Sequence, residues 1–178
     1  MKGNAKHIFF FFLSILFCVV AFAQTKDEQI KFIRKKFEII NSDTTLRKVT
    51  LENEEFLMNM TDGGGELTGF YKNKEIKKIY EWIGLSNGIS IKEFYFDKER
   101  LIFVYEKFDS FVFDDKKEEF DLDKIKTIFE GRYYFSNKKL FSESTKGNKS
   151  LAAQDKSTGK GLLKSADDNM RLLNKKSY

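Results

Sequence analysis

The chain has 178 residues with a formal charge of +5, one Cys, one His and no Pro. Cys18 and His7 both fall in the first twenty residues, so any mature form lacking that stretch has no disulfide, no thiolate or imidazole metal ligand, no Cys nucleophile and no His-dependent triad. Carboxylates, Tyr, Lys and Ser/Thr are then the chemistry that is left.

Lys2, Lys6 and His7 precede an apolar run over residues 8–20, and Ala21-Phe22-Ala23 stands before Gln24. This order of charge, apolar stretch and small residues predicts a secretory signal over residues 1–23, cleaved after Ala23. The run is shorter than the roughly 20 residues a permanent transmembrane helix needs. Bulky Phe17 ahead of Cys18 argues against lipid attachment. The expected product is an exported, periplasmic or secreted protein that is not integral to the membrane.

Loss of Lys2 and Lys6 takes the charge from +5 to +3, and residues 143–178 hold eight Lys/Arg against four Asp/Glu. The body is therefore near neutral, and its export and balance exclude nucleic acid as the expected partner.

Thr25-Lys26-Asp27-Glu28 has the capping-box pattern, in which a hydroxyl and a Glu three residues on satisfy each other's backbone donors. Ile30, Ile33, Phe37 and Ile40 then recur at helical spacing, so a helix should end near Asp43 with one apolar stripe. Its Lys31, Arg34, Lys35 and Lys36 read as a solvated face. Residues 46–51 and 56–60 are candidate strands, and Asp62-Gly63-Gly64-Gly65-Glu66 is a tight turn where the backbone needs positive φ.

Residues 66–72, 75–83, 89–96 and 101–108 read as consecutive strands joined by short breaks, hence antiparallel. Residues 109–129 turn acidic and read as an irregular insertion with a helical turn over 122–128. A last hairpin covers 132–141. The expected organisation is an α+β domain over 24–142, a flexible linker over 143–161 and an amphipathic helical tail over 162–178. Its core is a single curved antiparallel sheet of about six to eight strands, with the N-terminal helix on one face and the short helix at the C-terminus.

Phe70-Tyr71-Lys72, Phe94-Tyr95-Phe96 and Tyr133-Tyr134-Phe135 each precede a polar turn and then Ile or Leu. Strand alternation would set Tyr71, Tyr95 and Tyr134 on one face and Phe70, Phe94, Phe96, Tyr133 and Phe135 on the other. The Phe-rich face is expected to receive the N-terminal helix. The Tyr face, with Glu93, Arg132 and Trp82, is the candidate surface for a protein or glycan partner, because a phenol offers an apolar body and a polar tip. Packing of the same rings within the sheet is the competing reading. No cofactor or metal is expected. Two carboxylates of the acidic segment would give a glycan hydrolase instead, and a scaffold anchored through its tail is the third reading.

The aromatic-Tyr-aromatic hairpins resemble MORN-type repeats, and the chain also looks like small exported bacterial proteins. Asn73, Asp97 and Ser136 stand where that family carries glycine. The resemblance implies hairpins forming a sheet, and interaction surfaces more than catalysis.

Overall fold

The computed structural model describes residues 25–148 and 159–177. The expected signal over 1–23 and most of the expected linker lie outside the described residues. Helix α1 spans Lys26–Ser42. The strands are β1 (Arg47–Glu52), β2 (Gly65–Lys72), β3 (Glu75–Leu85), β4 (Gly88–Asp97), β5 (Arg100–Asp114), β6 (Glu119–Ser136) and β7 (Lys139–Gly147). Helix α2 spans Gly159–Ser177. The seven strands form one antiparallel sheet in the order β1-β2-β3-β4-β5-β6-β7, so each pairs only with its sequence neighbours. The α+β architecture is as the sequence predicts.

The capping box forms as expected: Glu28 N–H donates to Thr25 Oγ1 at 3.3 Å, and Thr25 N–H donates to Glu28 Oε2 at 3.0 Å. Strand β1 begins at Arg47 and β7 runs past the expected domain boundary at Ser142. The expected strand over 56–60 is absent. A single 3-10 turn, Asn53–Glu55, is followed by irregular backbone in which Met58 is fully exposed, because only Phe56 of that run finds the core. At the glycine turn Gly64 has φ 72°, and Gly63 lies so close to Gly84 that a Cβ on either would meet the other's backbone at 2.7 Å.

The acidic insertion is also absent as such. Residues 109–114 continue β5 and 119–128 belong to β6, so the segment is a hairpin, with no helical turn over 122–128. Strand β4 ends its pairing with β5 at Ser110 and β7 ends its pairing with β6 at Phe129, so residues 111–128 project as a two-stranded arm. Acidic composition predicts a loop, but these residues decorate a ribbon whose pairing is held by Phe111, Phe113, Phe120 and Ile125.

Three hairpins share one irregularity next to their turns. The register shifts between Phe70 and Tyr71 in β2, between Tyr95 and Phe96 in β4, and between Tyr134 and Phe135 in β6. Lys77, Ile102 and Phe141 on the partner strands are the residues passed over. This bulge sets the equivalences at Phe70, Tyr95 and Tyr134 on one side and Tyr71, Phe96 and Phe135 on the other. Tyr71 therefore belongs to the face opposite Tyr95 and Tyr134, one residue out of the expected phase.

Helix α1 also sits on the face opposite the one expected for it, and α2 takes the Phe-rich face. Helix α1 packs Ile30, Ile33, Phe37 and Ile40 against Tyr95, Phe103 and Tyr134. The face of Phe94, Phe96, Val104, Tyr133 and Phe135, together with Tyr71, is closed by Leu162, Ala166 and Leu173 of α2. The physical reason is that both faces of the bulged rows are aromatic, so each needs a cover, and burial of a side chain such as Leu162 or Leu173 contributes about 1.5–3 kcal/mol. The α2 face also holds a charged row in which Lys92 Nζ lies 3.1 Å from Glu81, with Glu106 on the adjacent strand. Asn169 of α2 donates to Glu81 at 2.8 Å, and Tyr133 OH donates to Glu106 at 3.2 Å. Burial lowers the Lys92 pKa, but the charges of Glu81 and Glu106 outweigh it and the net shift is upward.

Candidate functional site

Strand register fixes what shares the α1 side of the sheet. The row nearest the turns is Lys48, Phe70, Lys78, Tyr95, Phe103, Tyr134 and Ser142. The next is Thr50, Thr68, Tyr80, Glu93, Tyr105, Arg132 and Ser144, and the one after it includes Glu66, Trp82, Ile91, Lys107 and Glu130. Helix α1 packs its apolar stripe mainly on the first row. Phe37 caps it, with ring centroids 4.9 Å from Tyr95 and 5.7 Å from Phe103, and Phe103 stands 5.0 Å from Tyr134.

Tyr95 is 0% exposed and Tyr134 5%, both beneath α1, while Tyr71 is 2% exposed beneath α2. None of the three expected binding tyrosines is on an open surface. The Tyr95 hydroxyl is consumed by a closed circuit: it donates to Glu93 Oε2 at 2.7 Å and accepts from Asn41 Nδ2 at 3.1 Å. Lys78 Nζ completes the circuit by donating to Asn41 Oδ1 at 3.1 Å and Glu93 Oε1 at 2.6 Å. Burial, then the charge of Glu93, pushes the Tyr95 phenol well above its ordinary pKa. Tyr71 turns across Gly69, where a Cβ would meet its ring at 2.9 Å, and donates to Asn174 of α2 at 3.1 Å.

Glu93, Arg132 and Trp82 do share the α1 side, in the two rows that α1 leaves open, and all three are half-buried. Tyr80 and Tyr105, which sequence reasoning missed, join them. Alternation from Trp82 points to Tyr80, and the β4–β5 register sets Tyr105 opposite Glu93. Tyr105 OH donates to Glu130 at 2.7 Å, and the Arg132 guanidinium lies over the Tyr105 ring at 5.2 Å. Burial, followed by the hydrogen bond to Glu130, pushes the Tyr105 phenol up to about 12. Tyr80 is raised by burial and by the charges of Glu66 and Glu93. Among the described residues the Tyr80 hydroxyl and the Trp82 indole have no hydrogen-bond partner, so both donors face the open surface.

Where the open rows meet α1 there is a cleft of about 380 Å³. Ile33 and Phe37 of the helix and Phe103 and Tyr134 of the sheet form its apolar walls, and Arg34, Glu93, Tyr105 and Arg132 stand at its polar side. Glu93 is the single carboxylate lining it. Among the described residues, no cluster of three or more carboxylates is placed to hold a metal ion, and no helix is long and apolar enough to cross a membrane. Comparison of the chain with protein-family models, with curated proteins and with solved structures finds no match.

Proposed function

We propose that the protein is an exported, non-catalytic binding module of the periplasm or cell envelope, holding a protein or glycan partner on the open rows of the α1-side face. The observation that carries this reading is the half-buried group of Tyr80, Trp82, Ile91 and Tyr105, bordered by Glu93 and Arg132 and left uncovered beside α1. Ring faces with unsatisfied phenol and indole donors suit stacking and hydrogen bonding to a partner. The resemblance to hairpin-repeat interaction proteins agrees with it, and the three hairpins bulged at one place suggest variants of a single unit.

A glycan hydrolase needs two carboxylates about 5–10 Å apart across a cleft. Glu93 alone borders the cleft, and it is tied to Lys78 and Tyr95. The paired carboxylates Glu81 and Glu106 lie beneath α2, which favours binding over hydrolysis. The test is a photo-crosslinking amino acid at Trp82 in the exporting cell, with one at exposed Lys116 as control. Specific capture from position 82 supports the reading; equal capture from both positions, or none, defeats it. Mass spectrometry of the exported chain should find Gln24 at its N-terminus, and retention of residues 1–23 would overturn the export step.

A further inference from the structure

We propose that the cleft between α1 and the sheet takes a singly charged anionic amphiphile, a carboxylate on an apolar tail, with the tail against the cleft walls and the carboxylate between Arg34 and Arg132. The inference rests on the binding reading of this face and names a ligand class for one end of it.

Shape and surface set the tail. The cleft is about 380 Å³, toward the lower end of the roughly 300–1,000 Å³ of small-molecule sites, whose linings are mainly apolar. Ile33, Phe37, Phe103 and Tyr134 form that lining, and water displaced from it favours an apolar occupant.

Charge sets the head. Arg34 is exposed on α1 and has no ion-pair partner among the described residues. Arg132 reaches the cleft from β6, held by its stack on Tyr105 and by one 3.5 Å contact with Glu130. A guanidinium carries five donors in a planar fork, so a single long contact leaves most of them for a ligand. The two arginines approach from opposite walls, helix and sheet, and so bracket one polar end. Glu93 is paired with Lys78 and accepts a hydrogen bond from Tyr95 OH, so its oxygens are already engaged and it competes less for either arginine. The carboxylates of Glu93 and Glu130 nonetheless stand nearby and disfavour a second negative charge on the ligand, so a carboxylate fits better than a phosphate dianion. Tyr134 OH, without a partner among the described residues, is a further donor at the wall.

The test is equilibrium binding of sodium dodecanoate to the mature protein below the micellar concentration, beside dodecylammonium chloride, dodecyl maltoside and dodecyl phosphate. Dodecanoate should bind once per chain and at least about tenfold more tightly than the other three, since charge-assisted hydrogen bonds carry roughly that much. Arg132→Gln and Arg34→Gln should each weaken it about tenfold, and Arg132→Lys less, because charge without the fork recovers part of the contact. Arg171→Gln on the outer side of α2, with its side chain 75% exposed, should change nothing. Far-UV circular dichroism of each variant separates lost binding from lost fold. Equal affinity for dodecanoate and dodecyl maltoside, or unchanged affinity in both arginine variants, overturns the inference. Partner capture at Trp82 without dodecanoate binding would sink the ligand class and leave the wider binding face standing; arginine-dependent dodecanoate binding without capture would do the reverse.

Discussion

Removal of one buried hydroxyl tests how α1 is held to the sheet. Tyr95→Phe keeps the ring contacts with Phe37 and Phe103 and deletes the bonds to Glu93 and Asn41. A hydrogen bond to a charged group contributes about 1.5–3 kcal/mol. Glu93 retains Lys78 at 2.6 Å and its side chain is 19% exposed, so water recovers part of the loss and the low end of that range applies. The expected cost is about 1.5 kcal/mol, or roughly 5 °C in Tm for a domain of this size. Tyr134→Phe is the internal control: Tyr134 is similarly buried, yet its hydroxyl has no partner among the described residues, so it should cost under about 0.5 kcal/mol. Urea unfolding followed by circular dichroism reads both as shifts in midpoint at constant slope. Equal costs for the two variants would refute the circuit. A Tyr95→Phe cost that persists unchanged in an Asn41→Ala, Glu93→Ala background would refute it as well, because the partners would already be gone.

Lys92→Met should destabilise by about 3–5 kcal/mol, as it removes the cation set between Glu81 and Glu106 beneath α2; a loss below 1 kcal/mol in urea unfolding would contradict that placement. Native Tyr105, pushed up to about 12, keeps its proton where the unfolded chain releases one near pH 10. Stability is therefore full below about pH 10 and falls as pH rises toward 12, and Tyr105→Phe should flatten part of that slope in an alkaline titration of Tm. Leu173→Ala, at a side chain with no exposed surface, should cost about 2–5 kcal/mol and increase dye binding to the Phe94 face; a neutral result would mean that α2 does not cover it. Lys98 and Glu99 both have positive φ, 50° and 59°. Lys98→Asn with Glu99→Gly should stabilise by about 1 kcal/mol or more, measured by thermal unfolding, since Asn and Gly enter the left-handed region at lower cost than Lys and Glu.

Much of the secondary structure could be read from local chemistry. Thr25 with Glu28 marked the helix start, and aromatic and β-branched runs separated by short polar breaks marked β2 to β5 and the last hairpin. The faces were harder, because period-two alternation is reliable only until a bulge, and aligning Tyr71 with Tyr95 ignored the residue that the register passes over. The arm was hidden by composition: Asp114, Asp115, Glu118, Glu119, Asp121 and Asp123 resemble a solvated loop, yet the same charges on a ribbon with two free edges discourage pairing with another chain. Val112, Phe113, Phe120, Leu122 and Ile125 remain exposed on it. Glu93, Arg132 and Trp82 were found from their positions near the tyrosines. Arg34, Phe37 and Phe103 were invisible as site residues, because the cleft exists only where α1 crosses the first row, and no sequence period records which face a helix will choose.

The sheet's order has a consequence for how the chain is made. Every strand pairs with the one before it, so seven strands can zip together locally as the chain emerges, without long-range search. Helix α2 breaks that locality. Formed by residues 159–177, it closes the face built by β1 to β6, and its Asn174 and Asn169 reach Tyr71 and Glu81. A chain stopped before Gly159 would carry the complete sheet with Phe94, Val104 and Phe135 uncovered. Docking of α2 thus decides whether this aromatic face is presented to the surroundings or withdrawn from them.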